Sequence, residues 1–293
     1  MNIQWFPGHM SKSIKLIKEN LKLVDIVIEL RDARIPVSSR NPEVDSFIGN
    51  KKRLIALNKS SLADNSISKE WTNWYGRNGY ANIFIDSIDS KGIDRLKLKL
   101  TEMMKERIEL DKVKGRIFRP IRTMIVGIPN VGKSTFINNI AGKKGAKTGD
   151  RPGVTIGKQW IRINKEIELL DTPGILWPKF QDEITAQNLA FTGAIKDEIM
   201  DIVELAQMLL IKLSKTYPKN IINRYKLSLD PEKNGEDLLI ETGRKRGCII
   251  SGGEIDLYRT ANIVLDEFRS GKLGNITLER PTDGDIIDIG DIL

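Results

Sequence analysis

Short apolar runs separated by polar or amphipathic stretches dominate the first 170 residues. Runs of this length with polar flanks are typical of strands buried in a parallel sheet, and the stretches between them are typical of helices. The predicted strands are Val24–Leu30, Arg53–Leu57, Asn82–Ile85, Arg122–Val126 and a hairpin of Lys158–Ile163 with Glu166–Leu170. The predicted helices of this part are Met10–Val24, Ile93–Glu109 and Thr135–Ile140. Six strands alternating mostly with helices predict a doubly wound α/β sheet.

From about Gln181 the pattern changes to helical periodicity, in which apolar residues recur every three or four positions. These segments predict a smaller all-helical domain over residues 181–275, after a first domain over residues 1–180. The predicted helices are Asp182–Ala194, Glu198–Thr216, Lys219–Leu227, Gly235–Lys245 and Gly253–Ser270. Residues 276–293 end in an acidic stretch rich in Gly and Asp, which predicts a mobile tail.

The composition is that of a globular protein with an excess of positive charge. The chain has 293 residues, a formal net charge of +8 and a sequence pI near 9.4, and this balance favours a polyanionic partner. One cysteine, Cys248, excludes an internal disulfide framework and, with one histidine, argues against a structural zinc site. No apolar run reaches the roughly 20 residues of a membrane helix, and no signal-peptide core opens the chain. We therefore expect a cytoplasmic protein with no membrane partner.

The most specific motif lies in the middle of the chain, at residues 127–134, which read GIPNVGKS. It matches the phosphate-loop pattern G-x-x-x-x-G-K-[ST] and lies between a predicted strand and a predicted helix, as that motif requires. Backbone N–H groups of such a loop face phosphate oxygens, and the helix N-terminus adds partial positive charge. Lys133 is expected to reach the β- and γ-phosphates and Ser134 to bind Mg²⁺. The predicted nucleotide-binding residues here are Asn130, Val131, Gly132, Lys133, Ser134 and Thr135.

Two further motifs follow the phosphate loop and fit loops that sense a γ-phosphate. Asp171 ends a predicted strand and opens the sequence DTPG, so its carboxylate is expected to hold Mg²⁺ and the Gly174 N–H to contact the γ-phosphate. Between the two motifs, residues 149–155 read GDRPGVT, and Thr155 is expected to reach Mg²⁺ only in the triphosphate state.

The motif that reads guanine, N-K-x-D, normally comes after these loops, but nothing beyond Asp171 matches it. Instead, Asn58 and Lys59 end the second predicted strand, ahead of the phosphate loop. Ser87 and Ile88, after the third strand, occupy the place of a loop whose backbone N–H binds guanine O6. The order of elements is therefore permuted, with the base-reading strands first, which a sheet tolerates because domain termini often lie close together.

Together these motifs resemble those of the circularly permuted GTPases, and among them the ribosome biogenesis GTPases of bacteria. The resemblance covers nearly the whole chain and rests on the segments Trp5–Met10, Asp32–Pro36, Asn58–Lys59, Gly127–Ser134, Pro152–Thr155 and Asp171–Gly174. It implies a permuted Ras-like domain that binds GTP or GDP with Mg²⁺ and hydrolyses GTP. It also implies a role in late maturation of the large (50S) ribosomal subunit and a helical C-terminal domain that contacts ribosomal RNA.

Ser61 departs from the family pattern, which has an acidic residue there. A carboxylate accepts hydrogen bonds from guanine N1–H and the 2-amino group, whereas a serine offers a weaker, neutral bond. We expect guanine preference to be weakened rather than lost, because Asn58, Lys59 and residues 87–89 are retained. Asp64, three residues further on, is an alternative source of a carboxylate if the loop is reshaped.

The residue directly after the DTPG motif is Ile175, where Ras-like enzymes place a glutamine that orients the attacking water. An apolar side chain cannot position water, so the chain is either a slow switch or takes a polar group from elsewhere. A histidine can orient or deprotonate water near neutral pH, and His9 is the one histidine of the sequence. The resemblance implies that His9 is the catalytic residue and acts when the ribosome orders the N-terminus.

Asn130 suggests a monovalent cation in addition to Mg²⁺. In similar GTPases with asparagine at this position, its side-chain oxygen helps to hold K⁺ beside the β- and γ-phosphates. Such an ion would neutralise charge that develops during phosphoryl transfer. The alternative is that Asn130 only stabilises the loop.

Basic side chains cluster on two predicted helices and are the candidate RNA contacts. They are Lys12, Lys15, Lys18 and Lys22 on the first helix, and Arg244, Lys245 and Arg246 near the end of a later one. Each cluster alone is more often a solvated face, but with the overall charge they favour contacts to RNA phosphates. We expect a monomer that binds ribosomal RNA; the alternative is a non-catalytic RNA-binding scaffold that keeps the nucleotide domain only for structure.

Overall fold

The structure is a computed structural model that describes residues 10–116, 119–142, 160–170 and 183–281. The chain divides into two units. The first comprises Met1–Gln181 and Glu279–Leu293, and the second comprises Asp182–Leu278. The strands of the first unit are β1 (Ile26–Asp32), β2 (Lys52–Asn58), β3 (Ala81–Phe84), β4 (Ile121–Gly127), β5 (Trp160–Arg162) and β6 (Ile167–Leu170). Its helices are α1 (Met10–Leu21), α2 (Pro42–Ile48), α3 (Asn65–Arg77), α4 (Ile93–Met103), α5 (Lys105–Val113) and α6 (Lys133–Ala141). No described helix is both long and apolar enough to cross a membrane.

The described strands form one six-stranded sheet in the order β3-β2-β1-β4-β6-β5. All neighbours are parallel except β5, which is an antiparallel edge strand paired with β6. The turn between these two is fixed by Asn164, whose side-chain oxygen accepts the N–H groups of Glu166 and Ile167 at 2.8 Å each. The predicted doubly wound sheet is confirmed, including the placement of the base-reading strands before the phosphate-loop strand.

Strand β1 is buried along its whole length although it carries charged residues. Glu29 and Arg31 point to the same face because they are two positions apart, and they form two hydrogen bonds of 2.8 and 2.9 Å. Arg31 also donates to the Tyr75 hydroxyl at 3.2 Å. Each charged group therefore has partners, which a buried ion needs to remain in the interior.

One predicted helix is divided in two. The sequence predicted a single helix over Ile93–Glu109, but α4 ends at Met103 and α5 begins at Lys105. The buried apolar stripe of α4 is continued by Met104 and stops there, whereas α5 buries no residue. Arg107 of α5 instead pairs with Asp25, which draws the chain into a new direction. The predicted linker from Asp111 likewise begins within α5.

The second unit is helical and contains α7 (Glu183–Phe191), α8 (Ile202–Thr216), α9 (Pro218–Tyr225), α10 (Gly235–Arg246) and α11 (Leu257–Arg269). The middle of its core is α8, which buries Leu205, Leu209 and Leu213. Two predicted helices begin too early, because Asp201 and Asp256 are N-caps whose carboxylates accept the first backbone N–H groups of α8 and α11. Residues 198–200 and 253–255 therefore lie outside α8 and α11.

The start of the predicted mobile tail is packed rather than free, so the prediction is wrong for residues 276–279. Ile276 and Thr277 are buried in the helical unit, where Thr277 exchanges hydrogen bonds with the Tyr217 hydroxyl. In the first unit, the Glu279 carboxylate accepts the Val37 N–H at 2.6 Å, and its carbonyl accepts the Trp71 indole N–H at 3.0 Å. Residues 282–293 lie outside the described residues.

Candidate functional site

The candidate site lies at the switch point of the sheet, between β1 and β4. Strands β2 and β3 extend the sheet on the β1 side, and strands β6 and β5 extend it on the β4 side. Doubly wound sheets bind ligands outside the carboxyl ends of their strands at such a reversal. The described candidate residues follow strand ends: Asn58 closes β2, Ser87 follows β3, and the phosphate loop follows β4.

The phosphate loop joins β4, which ends at Gly127, to α6, which begins at Lys133. Asn130 and Gly132 adopt left-handed backbone conformations with φ of 56° and 98°, which turn the chain sharply into the helix. The Lys133 ammonium group donates to the carbonyls of Gly127 at 3.1 Å and Ile128 at 2.8 Å. The lysine predicted to contact phosphates is therefore held across its own loop.

The loop carbonyls beyond Ile128 are held by side chains from the loop after β2. The Asn58 amide donates to the Val131 carbonyl at 2.9 Å, and the Lys59 ammonium group donates to the Asn130 carbonyl at 2.8 Å. The C=O and N–H of a peptide unit point in opposite directions. Binding the carbonyls therefore turns the next N–H groups the other way, which is the arrangement of an anion-binding nest.

Asn58 connects a third loop to this arrangement. Its side chain is buried, with 1% of its surface exposed, and its amide oxygen accepts the Ser87 N–H at 2.9 Å and the Ser87 hydroxyl at 2.8 Å. One amide thus joins the loops after β2, β3 and β4. The structure brings together Asn58, Lys59, Ser87 and the phosphate loop, all of which the sequence selected separately.

Lys59 has a partner that sequence reasoning missed, the carboxylate of Asp32 at the end of β1. The two groups lie 3.0 Å apart, and Arg34 forms two further hydrogen bonds to the same carboxylate. Burial opposes ionisation of Asp32, but Arg34 and Lys59 outweigh it and hold the pKa of that carboxyl well below its usual range. Asp32 is therefore a fixed anion that positions Lys59. The sequence signal that could have identified Asp32 is its place in the segment Asp32–Pro36, one of those on which the family resemblance rests.

The base-reading loops are held by Asp86, a second residue that was not selected as a site residue. The backbone N–H of Ser61 donates to Asp86 Oδ2 at 3.2 Å, and the Ser61 hydroxyl donates to the same oxygen. The Ile88 N–H belongs to the loop predicted to bind guanine O6, but it donates to Asp86 Oδ1 at 2.9 Å and is therefore engaged within the loop. Asp64 does not replace the missing carboxylate, because it is the N-cap of α3 and accepts the Ser66 N–H at 2.8 Å.

The remaining candidates divide by whether the structure describes them. His9, Thr155, Asp171 and Gly174 lie outside the described residues. Ser134 and Thr135 are exposed in the first turn of α6, and the Ser134 hydroxyl oxygen is the kind of hard ligand that Mg²⁺ accepts alongside phosphate oxygens. Among the described residues, Ser134 therefore fits a nucleotide-bound Mg²⁺.

The two basic clusters differ in their surroundings. Lys15 and Lys18 of α1 and Lys22, directly after this helix, are exposed, whereas Ile17 and Leu21 of α1 are buried; the helix also contains Lys12. Arg244 and Lys245 are exposed at the end of α10, where positive charge also complements the helix dipole. Arg246, by contrast, pairs with Glu267, which Arg224 also contacts, so much of its charge is already compensated.

Replacing Gly132 with alanine tests the contact between Asn58 and the phosphate loop. A Cβ at this position would lie 2.4 Å from the Asn58 amide nitrogen, and the φ of 98° is unfavourable for alanine. We expect Gly132→Ala to lower nucleotide affinity at least ten-fold, which corresponds to about 1.4 kcal/mol, in a titration with a fluorescent guanine nucleotide. Gly142→Ala is the matched control, because its φ is 70° and its Cβ would meet nothing within 4 Å. Equal affinities for the two variants would contradict a role of this contact in nucleotide binding.

The chain is similar to known proteins over nearly its whole length. Residues 122–230 match the family model described as 50S ribosome-binding GTPase. The ribosome biogenesis GTPase A of Bacillus licheniformis is 47% identical over 283 residues, which cover 97% of this chain and 100% of that protein. The GDP-bound structure of TM YlqF superposes with a TM-score of 0.69 at 28% identity, covering 91% of this chain and 99% of that one. The GNP-bound YlqF from T. maritima gives 0.66 at 28% identity, covering 93% and 99%.

The likeness thus extends over nearly the whole chain, from the base-reading strands through the phosphate loop to the helical unit. The chain therefore belongs to the ribosome biogenesis GTPase A family of circularly permuted GTPases, and it is a GTP-hydrolysing enzyme.

Proposed function

We propose that this GTPase binds the precursor of the large (50S) ribosomal subunit, promotes its late maturation, and is released when GTP is hydrolysed. The observation that supports a working nucleotide switch is the buried Asn58 amide, which joins the base-reading loops to the phosphate loop. The large-subunit target is supported by the name of the matching family model and by the exposed basic face of α1. On this proposal the protein acts as a monomer in the cytoplasm.

The alternative of a non-catalytic RNA-binding scaffold does not fit a chain that belongs to a family of GTP-hydrolysing enzymes. A scaffold has no physical need for Lys133 and Lys59 to be held against the loop carbonyls, or for a glycine at 132 that leaves room for Asn58. These features favour a nucleotide-responsive enzyme. The proposed RNA contacts are Lys12, Lys15 and Lys18 of α1, Lys22 directly after it, and Arg244, Lys245 and Arg246 at the end of α10.

The proposed cycle assigns each side chain one task. Lys133 moves from its carbonyl partners to the β- and γ-phosphates, while the backbone N–H groups of the loop bind the same oxygens. Ser134, with Thr155 and Asp171, would hold Mg²⁺, which when bound neutralises negative charge on the phosphate oxygens. Thr155 and Gly174 are ordered by the γ-phosphate and favour docking, and loss of that phosphate releases them.

The partner is tested by co-sedimentation with large-subunit particles. We expect retention of the chain with a non-hydrolysable GTP analogue, much weaker retention with GDP, and a steep loss of binding as salt rises. The charge reversal Lys15→Glu/Lys18→Glu should weaken binding at least ten-fold. Lys112→Glu/Lys114→Glu, which changes two other exposed lysines by the same charge, is the matched control. Retention that is independent of nucleotide would favour the scaffold.

The role of His9 is tested by turnover in the presence of those particles. We expect His9→Ala to lower stimulated GTP hydrolysis by about 10²-fold or more, because general-base catalysis contributes roughly that much. Affinity for GDP should stay unchanged, since the proposed role concerns the attacking water. A variant that keeps the wild-type stimulated rate would exclude His9 as the catalytic group.

The role of Asn130 is tested by exchanging KCl for NaCl. If its side-chain oxygen holds K⁺ beside the phosphates, turnover should fall several-fold in NaCl. Asn130→Gly keeps a residue that tolerates the φ of 56° but removes that oxygen, so its turnover should be equally low in both salts. Equal turnover of the unaltered protein in KCl and NaCl would leave Asn130 as a loop-stabilising residue only.

A further inference from the structure

A buried carboxylate lies directly beneath the serine that replaces the expected acidic residue of the guanine motif. Asp86 follows β3 and has 2% of its surface exposed, whereas Ser61 follows β2 and is exposed. Both the N–H and the hydroxyl of Ser61 donate to Asp86 Oδ2. The other carboxylate oxygen accepts the N–H groups of Ile88 at 2.9 Å and Asp89 at 3.3 Å. Asp86 therefore connects the two base-reading loops.

Asp86 is ionised at neutral pH. Burial by itself would raise the pKa of this carboxyl, but the hydrogen bonds from the Ser61 hydroxyl and from the backbone N–H groups of Ile88, Ser61 and Asp89 outweigh burial and lower it. An ionised carboxylate only accepts hydrogen bonds. The single proton of the Ser61 hydroxyl is consequently directed inward, and the lone pairs of its oxygen are left for the exposed side.

We propose that Asp86 fixes the Ser61 hydroxyl as a hydrogen-bond acceptor and thereby makes Ser61 the group that selects guanine over adenine. This inference rests on the proposed nucleotide site and deepens it. Guanine presents N1–H and a 2-amino group as donors, which match an oxygen that can only accept. Adenine presents the lone pair of N1 instead, so its edge meets lone pair with lone pair. A serine hydroxyl that is free to rotate would donate a hydrogen bond to adenine N1. The Ser61 hydroxyl already donates its hydrogen bond to Asp86.

The negative charge also strengthens the bond that Ser61 can form. A hydroxyl that donates to a carboxylate becomes a better acceptor, because hydrogen bonds in a chain polarise one another. Selection then depends on a carboxylate that does not itself touch the base. Asp86 is a positioning residue, and its removal should change the preference for guanine more than the affinity for the phosphates.

The test compares the affinities for GDP and ADP in the full chain without ribosomal particles. In Asp86→Asn, we expect the amide oxygen to stay with the backbone N–H groups of Ile88 and Asp89, which cannot act as acceptors. The NH₂ group then faces Ser61, whose hydroxyl turns to accept it, so the Ser61 proton is no longer held inward. We expect GDP affinity to fall about ten-fold, ADP affinity to stay level or rise, and the GDP-to-ADP ratio to fall at least ten-fold. Asp94→Asn is the matched control, with the same charge change at an exposed residue of α4 outside the base-reading loops, and should keep the ratio.

Two further variants keep the proposal falsifiable if Asp86→Asn fails to fold. Ser61→Ala alters an exposed side chain and should lower the same ratio at least ten-fold. Ser61→Asp/Asp86→Asn moves the carboxylate to the exposed position without placing two anions together and should restore selection of guanine. An equal fall in GDP and ADP affinity in Asp86→Asn, or an unchanged ratio in Ser61→Ala, would overturn the inference but not the GTPase. Absence of binding to either nucleotide in the unaltered protein would overturn both.

Discussion

The site depends on one buried amide. Asn58 donates to the phosphate loop at Val131 and accepts from the loop after β3 at Ser87, so a single side chain sets the positions of three loops. Its burial raises the cost of breaking these bonds, because an unpaired polar group in the interior lacks water as a substitute. The same closeness explains Gly132, where any Cβ would press on the amide. In a permuted chain this amide connects the half that comes first to the half that follows.

The charged groups around the amide share the task of shaping a nest for anions. Lys59 and Lys133 both donate hydrogen bonds to loop carbonyls, and Asp32 forms an ion pair with Lys59. The ammonium groups thus lie on the carbonyl side of the loop, and the loop N–H groups that face the other way are left for phosphate oxygens. Asp32 is also paired with Arg34, so its negative charge is shared between two cations. The carboxylate therefore positions Lys59 without fully cancelling its positive charge. The exposed lysines of α1 are separate from this network and remain available to a polyanion.

The strands, their order and the phosphate loop could be predicted because hydrophobic period and motif spacing are local properties of the sequence. What could not be predicted are pairings between loops that meet only at the sheet edge. The contacts of Asp32 with Lys59 and of Asp86 with Ser61 join residues 27 and 25 positions apart, through the parallel pairing of neighbouring strands. Asp64 looked like a spare carboxylate, yet its nearest N–H groups made it a helix cap. Glu279 looked like part of an acidic tail, yet a pair of backbone donors at Val37 and Ser38 binds it.

On the proposal made here, the serine at position 61 changes how the base is read, not only how strongly. With an acidic residue at position 61, the group that meets guanine N1–H would belong to one loop and act alone. Asp86 accepts hydrogen bonds from the Ser61 hydroxyl and from the Ile88 N–H, so one carboxylate anchors both base-reading loops. Disturbing the loop after β3 would therefore disturb the orientation of Ser61 as well. On the proposed reading, recognition of guanine is coupled between the two loops, and it is tied through Ser87 and Asn58 to the order of the phosphate loop.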